Sequence, residues 1–230
     1  MNLNENAYQD QEEMIIAPLH LTKKMLKALL QRTLPETVSH DFPSLFNPDL
    51  LLKKPPLLLK KSAVCILVVG EEEAPEILFT LRSEGLPHHQ GEVSFPGGLS
   101  EENDLNATAT ALRETYEEIG LPSSSIDVID SLPPLITVSG YHVTPIVGIT
   151  QLNTQTLNLN ENEVSEVFTV PLSFLFNPEN VSLIEIIYQE SPRCFYSLNF
   201  ENKHIWGITA AILQGLYEKL VRHQSFFHAS

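Results

Sequence analysis

Apolar positions cluster along this chain in two distinct rhythms. SAVCILVVG (62–70) is a nearly unbroken apolar run, the pattern of a strand covered on both faces. The polar tract EEEAPE separates it from EILFTLR (76–82), which predicts a second strand. GEVSFPGG (91–98) predicts a short strand stopped by Pro96 and a loop at Gly97-Gly98. ATATALRETYEEIG (107–120) predicts a helix, with Asn106 as N-cap and Gly120 as C-terminal stop. Strand-like runs recur at 126–137, 143–150, 164–170, 182–188 and 194–198. WGITAAILQGLYEKLVRH (206–223) predicts a closing amphipathic helix, with Ile208, Ile212, Leu216 and Leu220 at near-helical spacing. Near the start, TKKMLKALLQRT (22–33) predicts a helix capped by Thr22, and core packing is the expected role of its apolar face. Residues 1–20 are expected to fray, and the prolines at 35, 43, 48, 55 and 56 resist regular structure. Strands, a central helix, more strands and a final helix predict a mixed α/β layered domain. The expected divisions are an N-terminal extension with one helix (1–60), the main domain (61–223) and a C-terminal tail (224–230).

The length of 230 residues fits one large domain with extensions, and 43% hydrophobic against 19% charged residues is a globular composition. Charge changes the picture more. With 14 basic and 29 acidic residues the formal net charge is −15, which argues against non-specific binding to nucleic acid or an anionic membrane. No apolar run is long enough to predict a membrane-spanning helix, and the polar, acidic start lacks the pattern of a signal peptide. Cys65 and Cys194 alone build neither a disulfide framework nor a zinc site, so reduced thiols and a cytoplasmic location are expected. A phosphate-bearing substrate would need a divalent cation to offset the repulsion.

The candidate chemistry sits in the central helix. Glu114, Glu117 and Glu118 are three and four residues apart, so they rise on one helical face. Three carboxylates there repel one another unless a cation lies between them, and a hard divalent ion suits oxygen ligands. The other reading of the same residues is a solvated acidic face.

The flanking residues distinguish the two. RETYEEIGL (113–121), following the Gly-Gly of FPGG (95–98), resembles the Nudix box of hydrolases that act on nucleoside diphosphates linked to another moiety. The glutamate that the general pattern places upstream is split here between Asp104, counted from Gly98, and Leu105, counted back from Arg113. The loop is thus one residue longer, and the subfamily that hydrolyses coenzyme A has a similar extension. That subfamily's upstream pattern also resembles LFTLRSEGLPHHQGEVSFPGG (78–98), with Thr80, Arg82, Ser83, Gly91 and Phe95 to Gly98 in register. Pro87 departs from it, standing where the family usually has a basic residue; Glu101 and Asp104 occupy its later acidic positions. NENEVSEVFTVPLSFL (160–175) and IWGITAAIL (205–213) are similar to later family segments, so the resemblance covers roughly 61–222.

The resemblance implies a Nudix-fold α/β/α sandwich with a mixed sheet and an N-terminal helical extension. It implies Mg²⁺ or Mn²⁺ on Glu114, Glu117, Glu118 and the Gly98 carbonyl, with Arg113 orienting the glutamates. It implies hydrolysis of CoA or acyl-CoA to adenosine 3′,5′-bisphosphate and a 4′-phosphopantetheine product. The general base is open among Glu114, Glu163 and Glu166. Arg82, His88 and His89 are the candidate substrate contacts, with His142 a weaker one. Trp206 is expected to pack at the start of the last helix, adenine stacking being its alternative. A different nucleoside diphosphate derivative, such as ADP-ribose or a dinucleotide, and a catalytically silent ligand sensor remain as alternatives. The expected partner is a small nucleotide substrate, with no nucleic acid and no membrane, and a homodimer is an allowed assembly.

Overall fold

The computed structural model describes residues 21–31, 59–85, 89–137, 139–151, 157–188 and 191–228. The prolines at 35–56, together with Pro87 and His88, lie outside these residues. The first helix, α1 (Lys23–Leu30), starts where the hydroxyl of Thr22 accepts a hydrogen bond from the Met25 amide at 3.1 Å.

The apolar run becomes β1 (Lys60–Gly70), the centre of the main sheet. Its side chains alternate between two cores: Ala63, Cys65, Leu67 and Val69 point to one, Ile66 and Val68 to the other. That double burial is why the run is apolar throughout. β2 (Pro75–Arg82) pairs antiparallel with β1, and β3 (Val93–Ser94) with β2.

Gly97-Gly98 is not a loop. The pair lies in β4 (Gly97–Leu99), antiparallel to β1 with Ala63 opposite Gly98 and Val64 opposite Gly97. Pro96 cannot donate to a ladder, but its carbonyl accepts from the Cys65 amide at 2.8 Å, so the strand resumes directly after it. A Cβ on Gly97 would stand 2.4 Å from the Ala63 carbonyl oxygen, a close approach that only glycine permits.

Helix α2 (Ala107–Ile119) crosses one face of the sheet, with the Asn106 side chain capping the Ala109 amide at 2.9 Å. Gly120 ends it at φ 72°, a left-handed conformation that glycine adopts without strain. The chain returns through β5 (Asp127–Ser131), β6 (Leu135–Ile136) and β7 (Tyr141–Ile149); β7 runs parallel to β1, making the sheet mixed. β8 (Val164–Pro171) joins β2 antiparallel and leads into the short helix α3 (Leu172–Leu175).

The late strands form a second sheet of β9 (Ser182–Tyr188), β10 (Ser191–Phe200) and β11 (Lys203–Trp206), with β10 in the middle. Trp206 thus ends a strand rather than starting a helix. α4 (Gly207–His228) follows directly, and runs past 223 because HQSFFH contains neither glycine nor proline to stop it.

Two hydrophobic cores flank the main sheet. Ala111 and Ile119 of α2 seal one. On the other face α4, through Ala210, Leu213, Leu216 and Leu220, packs with Leu26, Leu29 and Leu30 of α1. The α/β/α sandwich expected from the sequence is borne out, and the helix at 23–30 is part of its core. Lys23 reaches the Gly70 carbonyl, and Lys27 pairs with Asp127, fastening α1 to the sheet. Both cysteines are free, and no helix among the described residues is long and apolar enough to cross a membrane.

Candidate active site

β4 and α2 meet at the acidic cluster. Glu118 is 2% exposed, and its Oε2 accepts a hydrogen bond from the Gly97 amide at 3.2 Å. Its other oxygen lies 4.0 Å from Arg82 Nη1. Burial pushes the Glu118 carboxyl up to about 8; the Gly97 N–H and Arg82 oppose this, while Glu114 and Glu163 add to it. Glu114 is also raised, first by burial, with Arg113 opposing. Its carboxylate lies against the bare Cα of Gly98, where an added Cβ would come within 2.5 Å of it. Glycine at 98 therefore makes the cradle in which Glu114 sits.

Arg113 knits the remainder together. Its Nη1 donates to Glu117 Oε2 at 2.8 Å and lies 3.0 Å from Glu114 Oε1. Its Nη2 donates to the Leu99 carbonyl at 2.8 Å. Asp104 grips the guanidinium from the loop side, with Nε at 3.1 Å and Nη2 at 3.0 Å. That bidentate pairing holds the Asp104 carboxyl well below the usual carboxylate range, and it raises Arg113 in turn. The loop is further pinned where Asp104 accepts the Glu101 amide at 2.9 Å.

Among the described residues, no three His, Cys, Asp or Glu side chains are drawn together tightly enough to hold a metal ion as they stand. Glu114 and Glu117 share Arg113 Nη1, while Glu118 turns to the Gly97 amide instead. The donor set nonetheless fits a hard divalent cation. It offers carboxylate oxygens from successive turns of α2, and Glu118 is buried with only one amide and a distant guanidinium to offset its charge.

The other candidates are distributed unevenly. Glu163 accepts from the Asn160 side-chain amide at 3.0 Å and acts electrostatically on both Glu114 and Glu118. Glu166 is ion-paired with Lys203 of β11. On β8 it alternates with Val167, whose side chain packs into the core beneath α2, so it points to the opposite face of the sheet. His89, at φ 59°, lies 2.8 Å from Glu92 through Nδ1. His142 lies on β7, paired with Ile136, where its carbonyl accepts from the Ser62 hydroxyl.

A cavity of about 480 Å³ opens on the other side of β4. Arg82, His89 and Glu92 stand at it, together with Gly97 and Gly98. Val64 and Val143 form part of its apolar wall, and Phe195 and Trp206 extend that wall from the second sheet. Arg82 therefore touches both the cavity and the acidic cluster, and its buried Nε has no hydrogen-bond partner among the described residues. Sequence reasoning missed Phe195, Tyr141 and Asn160. Phe195 had only strand alternation to mark it, and nothing in NENE singles out the asparagine that steadies Glu163.

Comparison with known proteins places these features in a family. The NUDIX domain family matches residues 59–188. An uncharacterised Nudix hydrolase, NudL, from Pectobacterium atrosepticum is 38% identical over 142 residues, covering 62% of this chain and 73% of that protein. The NudL of Yersinia pestis is 36% identical over 159 residues, covering 69% and 79%. A MutT/nudix family protein from Enterococcus faecalis aligns in structure with a TM-score of 0.45 and 18% identity, over 87% of this chain and 75% of that one.

Proposed function

The chain belongs to the Nudix hydrolase family, and from that premise we propose that it is a metal-dependent pyrophosphohydrolase of coenzyme A or acyl-CoA. The observation that carries the hydrolase reading is the placement of Glu114 and Glu118 of α2 against Gly98 and Gly97, with Glu117 joined to them through Arg113 and a mostly apolar cavity directly behind that strand. The CoA assignment is supported by the joint sequence pattern of LFTLRS, FPGG with its lengthened loop, and RETYEE.

Glu114, Glu117, Glu118 and the Gly98 carbonyl would hold Mg²⁺ or Mn²⁺, which when bound would neutralise pyrophosphate charge and lower the pKa of an attacking water. The protein's own groups do the positioning. Arg82, reaching from the cavity toward Glu118, is placed to meet a phosphate oxygen. Arg113, fixed by Asp104 and the Leu99 carbonyl, keeps Glu114 and Glu117 in orientation. Glu163 is the preferred base, because it shares the electrostatic field of Glu114 and Glu118, whereas Glu166 is occupied by Lys203. Water oxygen bonds to phosphorus, its proton passes to the base, and the bridging P–O bond breaks. The products are adenosine 3′,5′-bisphosphate and the 4′-phosphopantetheine compound, with no covalent enzyme intermediate.

Pro87 favours a second reading. Without the usual basic residue, a contact to the CoA 3′-phosphate is lost, which would suit a nucleoside diphosphate derivative lacking that group. Turnover of CoA, dephospho-CoA and ADP-ribose, measured with Mg²⁺ and with Mn²⁺ and resolved by chromatography, separates the two. Brisk cleavage of ADP-ribose with none of CoA overturns the CoA assignment.

A further inference from the structure

Part of the cavity wall comes from outside the family-matched segment. Phe195 and Trp206 stand on β10 and β11, beyond residue 188. Their rings meet edge to face at 6.2 Å between centroids. Trp206 is backed by the imidazole of His204, stacked at 6.1 Å and 11° between planes. The indole is therefore held in place by neighbours in its own sheet rather than by the ligand. Tyr141 adds aromatic surface from the main sheet, and the hydroxyl-bearing Thr137 and Ser139 also line the cavity.

The chemistry of this lining is selective. Aromatic faces with hydroxyl groups near the edge suit a flat heterocycle, which offers both a π-face and ring nitrogens. Glu92 at the cavity opposes a phosphate there, while Arg82 stands on the side toward Glu118. A substrate laid between the two regions would put its charged phosphates at Arg82 and the glutamates, and its neutral ring in the cavity.

We propose that this cavity is the base-recognising half of the substrate site, taking a purine ring against Trp206, and that Trp206 is a specificity-determining residue. The inference rests on the pyrophosphohydrolase reading and extends it by assigning the nucleoside limb, rather than the pantetheine limb, to the cavity.

Trp206 is the only tryptophan, so its emission reports on this wall directly. The test is a fluorescence titration of the full chain in chelator, with AMP, UMP and pantetheine as separate probes. AMP is expected to quench the emission saturably, and UMP and pantetheine to do so only at about tenfold higher concentration. Phe195→Leu keeps the reporter and is expected to weaken AMP binding about fivefold. Trp206→Leu is expected to raise KM for the cleaved substrate about tenfold, with kcat falling less than about threefold, a split that a loss of packing alone would not give. Saturable quenching by pantetheine with none by AMP overturns the proposal, as does an emission that no probe changes. Quenching by AMP in a protein that cleaves no pyrophosphate leaves the base site standing and overturns the reaction assigned above.

Discussion

Glu118 is the residue on which the site turns. A carboxyl that titrates near 8 when folded, against an ordinary 4.5, is neutral in the metal-free protein over most of the pH range in which the unfolded chain is ionised. From about pH 4.5 to about pH 8 the native state holds a proton that the unfolded state releases. Stability is expected to fall as pH rises through that window, by on the order of 5 kcal/mol for this group. Urea unfolding in chelator at about pH 5 and pH 8.5 checks this, and Glu118→Gln is expected to flatten the dependence while cutting turnover by orders of magnitude. The same proton competes with a divalent cation. Metal affinity measured by calorimetry is expected to rise with pH up to about 8, by at most about tenfold per unit, and to level off above it. Gly98→Ala tests the neighbouring cradle. The new Cβ displaces the Glu114 carboxylate, a mobile side-chain end, so thermal stability is expected to hold while kcat drops about 100-fold.

At the scale of elements, helix α2 was legible to the residue because its signals are local: Asn106, Gly120 and the apolar spacing between them are enough. β1 and β2 were equally plain, since double burial writes an unbroken apolar run. Gly97-Gly98 was misread because glycine marks both turns and close strand approaches, and only the partner strand distinguishes them. β11 was missed for a related reason. KHIW carries its strand character through pairing with β10, not through its own composition. The site divides along the same line. Spacing put the glutamates on one helical face, and the resemblance of the flanking motif singled them out with Arg113, whereas Phe195, Tyr141 and Asn160 stand on separate strands and loops that no local motif marks. Helix α1 gives an element-scale prediction. Leu26 is fully buried against α4, so Leu26→Ala should cost about 2–5 kcal/mol in chemical denaturation. Its kcat/KM, measured well below the unfolding midpoint, should change less than about twofold, because α1 contributes nothing to the cavity.

For the whole molecule, the net charge of −15 opposes the approach of a pyrophosphate, even though the metal site proposed at α2 calls for acid. Long-range repulsion between exposed charges is screened within about 10 Å at 0.1 M salt. Raising sodium chloride from about 10 mM to about 150 mM at fixed free Mg²⁺ is therefore expected to lower KM for an anionic substrate. An enzyme with a basic site would respond in the opposite sense. Steady-state kinetics across that salt range measures the sign.

The partition formed by β4 has a consequence for how this protein can change. On one side of two glycines lies the acidic cluster proposed for hydrolysis, and on the other the cavity proposed to recognise the base; the divider is a single backbone thick. Arg82 apart, which touches both sides, a substitution confined to one side is expected to leave the other intact, so turnover and selectivity can drift separately over evolutionary time. A change in the divider itself is felt on both sides at once, and those two positions are where the protein has the least freedom to vary.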